Sequence, residues 1–163
     1  MSFRSYSRAL LAMMGLFGAF GGMQTALADD HGGRTSRVPL LPKYQEECAA
    51  CHVAYPPGML PQASWQRIMN NLPRHYGTDA SLDAATVREL SSWLDANAGT
   101  YKRVAEAPPQ DRITRSAWFI RKHDEVSESV WKRPSVKSAS NCIACHTQAN
   151  QGVFNEHDVR IPR

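Results

Sequence analysis

Cys48-Ala49-Ala50-Cys51-His52 and Cys142-Ile143-Ala144-Cys145-His146 repeat one pattern, C-x-x-C-H, and between them use all four cysteines of the 163-residue chain. Two thiols at this spacing can add across the vinyl groups of a haem as thioethers, and the histidine that follows turns its imidazole onto the iron. Two disulfides would also consume four cysteines, and a two-knuckle zinc site would bind four thiolates. Neither alternative has a use for a histidine directly after each pair. The sequence therefore predicts two covalently bound c-type haems, one on Cys48, Cys51 and His52 and the other on Cys142, Cys145 and His146.

The N-terminus supports this chemistry. Arg4 and Arg8 lead an apolar run from Ala9 to Met23, and Ala26-Leu27-Ala28 forms a small-residue cleavage site, so residues 1–28 read as an export signal cut after Ala28. The run is broken by glycines and falls short of the roughly 20 residues a spanning helix needs, which argues against an uncleaved anchor. The whole chain carries 19 basic and 15 acidic side chains. Loss of the leader removes two arginines and no acid, and four ionised propionates would bring the holoprotein to about −2. The basic sequence pI is therefore no argument for nucleic-acid binding. Residues 29–100 hold 6 basic and 8 acidic side chains, whereas 101–163 hold 11 and 7, a sign difference that an electron carrier can use to orient on a partner.

The two motifs start 94 residues apart, with Glu106-Ala107-Pro108-Pro109-Gln110 between them. We expect this stretch to divide a haem domain at 29–105 from a second at 106–163, each small enough to need its porphyrin as apolar filling. In the first, a helix over Leu40–Cys51 delivers the motif, and Pro56-Pro57-Gly58 ends it. Ser64 is expected to cap a helix whose face carries Trp65, Ile68, Met69 and Leu72, with His75 continuing that face. A third helix, Leu82 to Ala98, buries Leu82, Val87, Leu90, Trp93 and Leu94 and stops at Gly99. In the second, Ser116 caps a helix carrying Phe119, Ile120, His123 and Val126, and Pro134 breaks the chain. A helix near Asn141–Ala149 carries the second motif and ends at Gly152, and the tail from Phe154 is extended or irregular. The expected fold is mainly α.

A sixth iron ligand separates carriers from catalysts. Periodicity makes His75 and His123 the leading candidates, because each follows an apolar stripe that a haem would lie against. His157, flanked by Asn155, Glu156 and Asp158, is the rival at the second haem, and Met59 and Met69 are rivals at the first. His31 sits in a Gly-rich stretch. His75 lies 23 residues after His52, whereas His123 lies 23 residues before His146. A tandem duplication would preserve that order, so the two haem wrappings are unlike.

Several flanking stretches accompany the motifs: Cys-Ala-Ala-Cys-His-Val-Ala-Tyr-Pro-Pro at 48–57, Leu-Pro-Gln-Ala-Ser-Trp at 60–65 and Leu-Pro-Arg-His-Tyr-Gly at 72–77. Further on come Arg-Ile-Thr at 112–114, Trp-Phe-Ile-Arg-Lys-His at 118–123, Asn-Cys-Ile-Ala-Cys-His at 141–146 and the closing Ile-Pro-Arg. With these the chain resembles the small dihaem cytochromes c, the DHC family, over nearly the whole mature sequence. The resemblance implies a class I cytochrome c-like N-terminal domain, a sparsely structured C-terminal haem domain, and bis-histidine ligation by His52 with His75 and by His146 with His123. It implies a periplasmic shuttle between a membrane-bound b-type cytochrome and a small soluble c-type haem protein. Tyr76 departs from it, standing where phenylalanine is expected.

The function expected is electron transfer without substrate chemistry: no enzyme, no small-molecule substrate and no nucleic acid. Two histidines on each iron close the site to exogenous ligands and favour a lower potential than methionine would. The tryptophans Trp65, Trp93, Trp118 and Trp131 are expected to be haem packing. A small haem peroxidase or gas-binding protein would instead need one open or labile iron. A dihaem subunit of a larger periplasmic reductase would need a large redox partner.

Overall fold

The computed structural model describes residues 38–163. The expected leader 1–28, its cleavage point after Ala28, and His31 lie outside the described residues. Among the described residues the protein is mainly helical, with five α-helices, eight short 3-10 turns and no strand. The helices are α1 (Pro42–Cys48), α2 (Gln62–Met69), α3 (Ala84–Asn97), α4 (Ala117–Lys122) and α5 (Glu128–Trp131). None is long and apolar enough to cross a membrane.

Pro42 stands in the first turn of α1, where its missing N–H costs nothing. The helix ends at Cys48, earlier than expected, so the rest of the motif lies in a turn. The start of α2 also differs from expectation. The carbonyl of Pro61 accepts from Ser64 N at 3.0 Å and Trp65 N at 3.3 Å. Pro61 therefore opens the helix, and Ser64 is buried inside its first turn rather than capping it. Asp83 caps α3, accepting from the N–H groups of Ala85 and Thr86 at 2.9 and 3.1 Å. Ser116 caps α4 as expected, accepting from Phe119 N at 3.2 Å, but Ile120 points outward and is 59% exposed.

Tyr44, Leu60, Trp65, Met69, Leu72, Leu90 and Leu94 form one buried cluster, with Leu40, Leu82, Val87 and Trp93 packed against it. All of it except Ile113 comes from the first 98 residues. Beyond residue 100 the buried apolar residues are Val104, Pro108, Phe119, Val136 and Ala149. In place of the expected helix the second motif opens in the 3-10 turn Cys142–Ala144, and a further 3-10 turn, Ala149–Gln151, follows it. Gly152 ends this stretch with φ of 73°, a left-handed stop that favours glycine.

Gly99 does more than follow α3. A Cβ there would lie 2.5 Å from Val104 Cγ2 and 2.6 Å from the Gly58 carbonyl oxygen, so the missing side chain lets three segments meet. Gly99→Ala is expected to lower stability by about 1 to 3 kcal/mol through overpacking, measured as a drop in the thermal unfolding midpoint.

Candidate haem sites

The first motif is set by the end of α1, where Ala49 N closes on Gln45 O at 3.0 Å and the chain turns so that His52 faces back. The His52 Nδ1 lies 2.7 Å from the Val53 carbonyl oxygen. A carbonyl only accepts, so Nδ1 is the donor and Nε2 is the nitrogen left for a metal. Tyr55 stacks on the His52 ring, with centres 4.8 Å apart and planes 21° from parallel. His75 reaches the same place by a different route from that expected. α2 stops at Met69, and the Leu72–Arg74 turn, closed by His75 N to Leu72 O at 3.2 Å, carries it in. The His52 and His75 ring centres are 6.1 Å apart, with planes at 25°.

The second site is built from the end of α4. His123 stacks on Phe119 at 4.0 Å, and its Nδ1 donates to the Phe119 carbonyl at 2.9 Å, which again leaves Nε2 free. His146 is held by its N–H to Cys142 O at 2.8 Å and by a bridge to Val159 in the tail. Phe154 lies 5.4 Å from its ring. The His123 and His146 ring centres are also 6.1 Å apart, but their planes cross at 72°. The His146 Nδ1 is buried without a hydrogen-bond partner. Burial is the main cause that lowers the pKa of both His75 and His146, with the facing histidine next for each. The lowered pKa favours the neutral imidazole, the form that binds metal.

These distances test the haem. Metal–imidazole bonds of about 2 Å on both sides of an iron, with each ring centre about 1.1 Å behind its nitrogen, put the ring centres roughly 6 Å apart. Both pairs match. Among the described residues no three His, Cys, Asp or Glu side chains gather into a metal cage, so each pair offers two donors, as suits a metal that brings its own equatorial ring. No two of the four cysteines are joined as a disulfide, so all four remain available for thioether links to haem. A groove of about 510 Å³ runs between the two motifs, lined by Cys51 and His52 on one side and Cys142 and Ile143 on the other. That is within the roughly 300–1,000 Å³ of ligand clefts. Tyr55 joins its walls, donating from its hydroxyl to Ser140 O at 2.8 Å.

The rivals stand elsewhere. Met69 is part of the core cluster, Met59 is buried in the Pro57–Met59 turn, and His157 is exposed in a 3-10 turn of the tail. Sequence reasoning missed Tyr55, whose ring and hydroxyl serve different sites, and the contacts of Tyr76 described below. No periodicity marks either, because both lie in irregular chain.

A helical chain that ties paired histidines to paired thiols twice over defines a c-type cytochrome with two haem sites. The sequence profile of the dihaem cytochrome c family, DHC, matches residues 44–154, and the chain belongs to that family. It therefore carries two c-type haems, and its only cysteines, in the two motifs, are the residues available to tie them. The chain is similar to the dihaem cytochrome c of Shewanella baltica OS155 in its X-ray structure, at 38% identity, TM-score 0.66, and coverage of 74% of this chain and 92% of that one. It is also similar to the crystal structure of DHC from Rhodobacter sphaeroides, at 45% identity, TM-score 0.62, and coverage of 70% and 96%. No curated protein matched the sequence. Members of this family are generally electron carriers and are typically exported.

Proposed function

We propose that the protein is a periplasmic electron relay whose two haems are each held by two histidines, His52 with His75 and His146 with His123. The observation that carries this reading is the 6.1 Å separation of both imidazole pairs, the gap that one iron fills. Bound there, each haem would supply a reversible one-electron change at iron. The chain's residues do the rest. Cys48, Cys51, Cys142 and Cys145 fix the rings covalently, the carbonyls of Val53 and Phe119 orient two of the imidazoles, and the paired histidines exclude exogenous ligands from the irons.

The export reading rests on residues 1–28 with cleavage after Ala28, and the division into units 29–105 and 106–163 on the Pro108-Pro109 junction. The partners we infer, a membrane-bound b-type cytochrome and a small soluble c-type haem protein, rest on resemblance. The opposite charge balance of the two halves would help them approach different faces. An optical titration tests the ligation. Low-spin ferric spectra and no carbon monoxide binding in the ferrous protein are expected, and a high-spin ferric haem or ready binding would favour a haem enzyme or gas sensor.

The crossing angles make a separate prediction. Nearly parallel imidazoles split the iron d orbitals in one direction, whereas crossed imidazoles cancel each other's splitting. Frozen ferric protein is therefore expected to give two low-spin electron paramagnetic resonance signals, a rhombic one from the His52–His75 site and a strongly anisotropic one from the His123–His146 site. Two identical signals would contradict the unlike geometries.

A further inference from the structure

We propose that Tyr76 is a positioning residue for His75, and that its hydroxyl latches the strained 108–112 junction so as to control access to the sixth coordination position of the first haem. This rests on the bis-histidine reading above. His75 follows a three-residue turn instead of standing on a helix, so little regular structure fixes its ring. The residue after it supplies what the turn lacks. The Tyr76 ring meets His75 edge-on with centres 4.9 Å apart, and the Arg112 guanidinium covers the Tyr76 ring at 4.2 Å.

The backbone shows where the protein spends conformational energy. Tyr76, Gln110 and Asp111 have φ of 52°, 58° and 55°, a left-handed region that strains a non-glycine residue. These three come from two segments far apart in sequence and meet at one point. The Tyr76 hydroxyl lies 3.1 Å from both the Gln110 and the Asp111 carbonyl oxygens, so its single proton is shared between the two strained residues. Asp111 is anchored from its other side. Arg67 of α2 forks onto its carboxylate, Nε to Oδ2 at 2.9 Å and Nη2 to Oδ1 at 2.7 Å, a two-point geometry that fixes orientation as well as distance. The chain between the two haem sites is thus fastened to the residue next to an iron ligand. Tyr76 is 42% exposed, so a docking partner can reach the latch. Phenylalanine at this position would keep the ring and lose the fastening.

The test compares the full-length holoprotein with Tyr76→Phe and, separately, Arg67→Ala, which loosens the same latch from α2 without touching the histidine. In each, the rate of carbon monoxide binding to the dithionite-reduced protein and the ferric low-spin resonance signals are measured. Binding of carbon monoxide at one haem in Tyr76→Phe, where the parent binds none, with the rhombic signal altered and the anisotropic signal unchanged, is expected. Arg67→Ala should open the same haem. If the parent and both variants alike exclude carbon monoxide, the latch is overturned while bis-histidine ligation stands. If the parent itself binds carbon monoxide at once, the underlying ligation fails and the latch with it.

Discussion

Reduced His75→Ala protein is expected to bind one carbon monoxide per molecule where the parent binds none, and its ferric spectrum to show one high-spin haem beside one unchanged low-spin haem. His123→Ala should do the same at the other site. The expectation follows from the pairing, because each alanine leaves a gap on one side of an iron whose other side still has His52 or His146 at a fixed position. The two variants should erase different resonance signals, the rhombic one in His75→Ala and the strongly anisotropic one in His123→Ala. His157→Ala should leave both irons closed, since that side chain is exposed in the tail. Opening of the second haem by His157→Ala would transfer the ligand role there from His123.

Cys142→Ser/Cys145→Ser protein is expected to lose folded structure beyond about residue 100 while the first half keeps its helices. The cause is the uneven placement of apolar packing. The buried cluster joins α2 and α3 through Trp65, Met69, Leu90 and Leu94, and it needs little from the second motif. Beyond Val104, the interior rests on Pro108, Phe119, Val136 and Ala149, too few side chains to offset the entropy of ordering some sixty residues at about 1 to 2 kcal/mol each. Limited proteolysis and hydrogen exchange should find amides in α4 and α5 unprotected in this variant and those in α3 still slow. Equal loss in both halves would show that the first core depends on the second haem as well.

The sequence made some elements legible and hid others, for reasons that can be named. α3 was readable because a 3.6-residue apolar repeat and a glycine stop agree, although the cap at Asp83 went unread and the start was placed at Leu82. α4 was readable from Ser116, and the haem motifs from chemistry that needs both cysteines and the histidine together. The start of α2 was misjudged because Ser64 has the side chain of a cap, while Pro61, which has none, supplies the carbonyl that opens the helix. His75 was singled out through the stripe of a helix that ends at Met69, six residues before it. The turn at Leu72–Arg74, and not that helix, carries its ring to 6.1 Å from that of His52. The second motif was expected on a helix near Asn141–Ala149. Within the motif only Cys142–Ala144 forms a 3-10 turn, and the contacts that hold the rest, such as Arg160 N to Cys145 O at 2.9 Å, come from the tail and have no local signature.

The two histidine pairs bring together residues 23 positions apart in both cases. Whatever bridges a pair closes a loop, and closing a loop of this size removes about 3 kcal/mol of conformational entropy from the unfolded chain at room temperature. Equal loops gain equally from closure. If each pair holds an iron as proposed, the two cross-links would stabilise both ends of the molecule by the same amount, and any difference in how firmly the two ends hold their shape would come from what surrounds the loops.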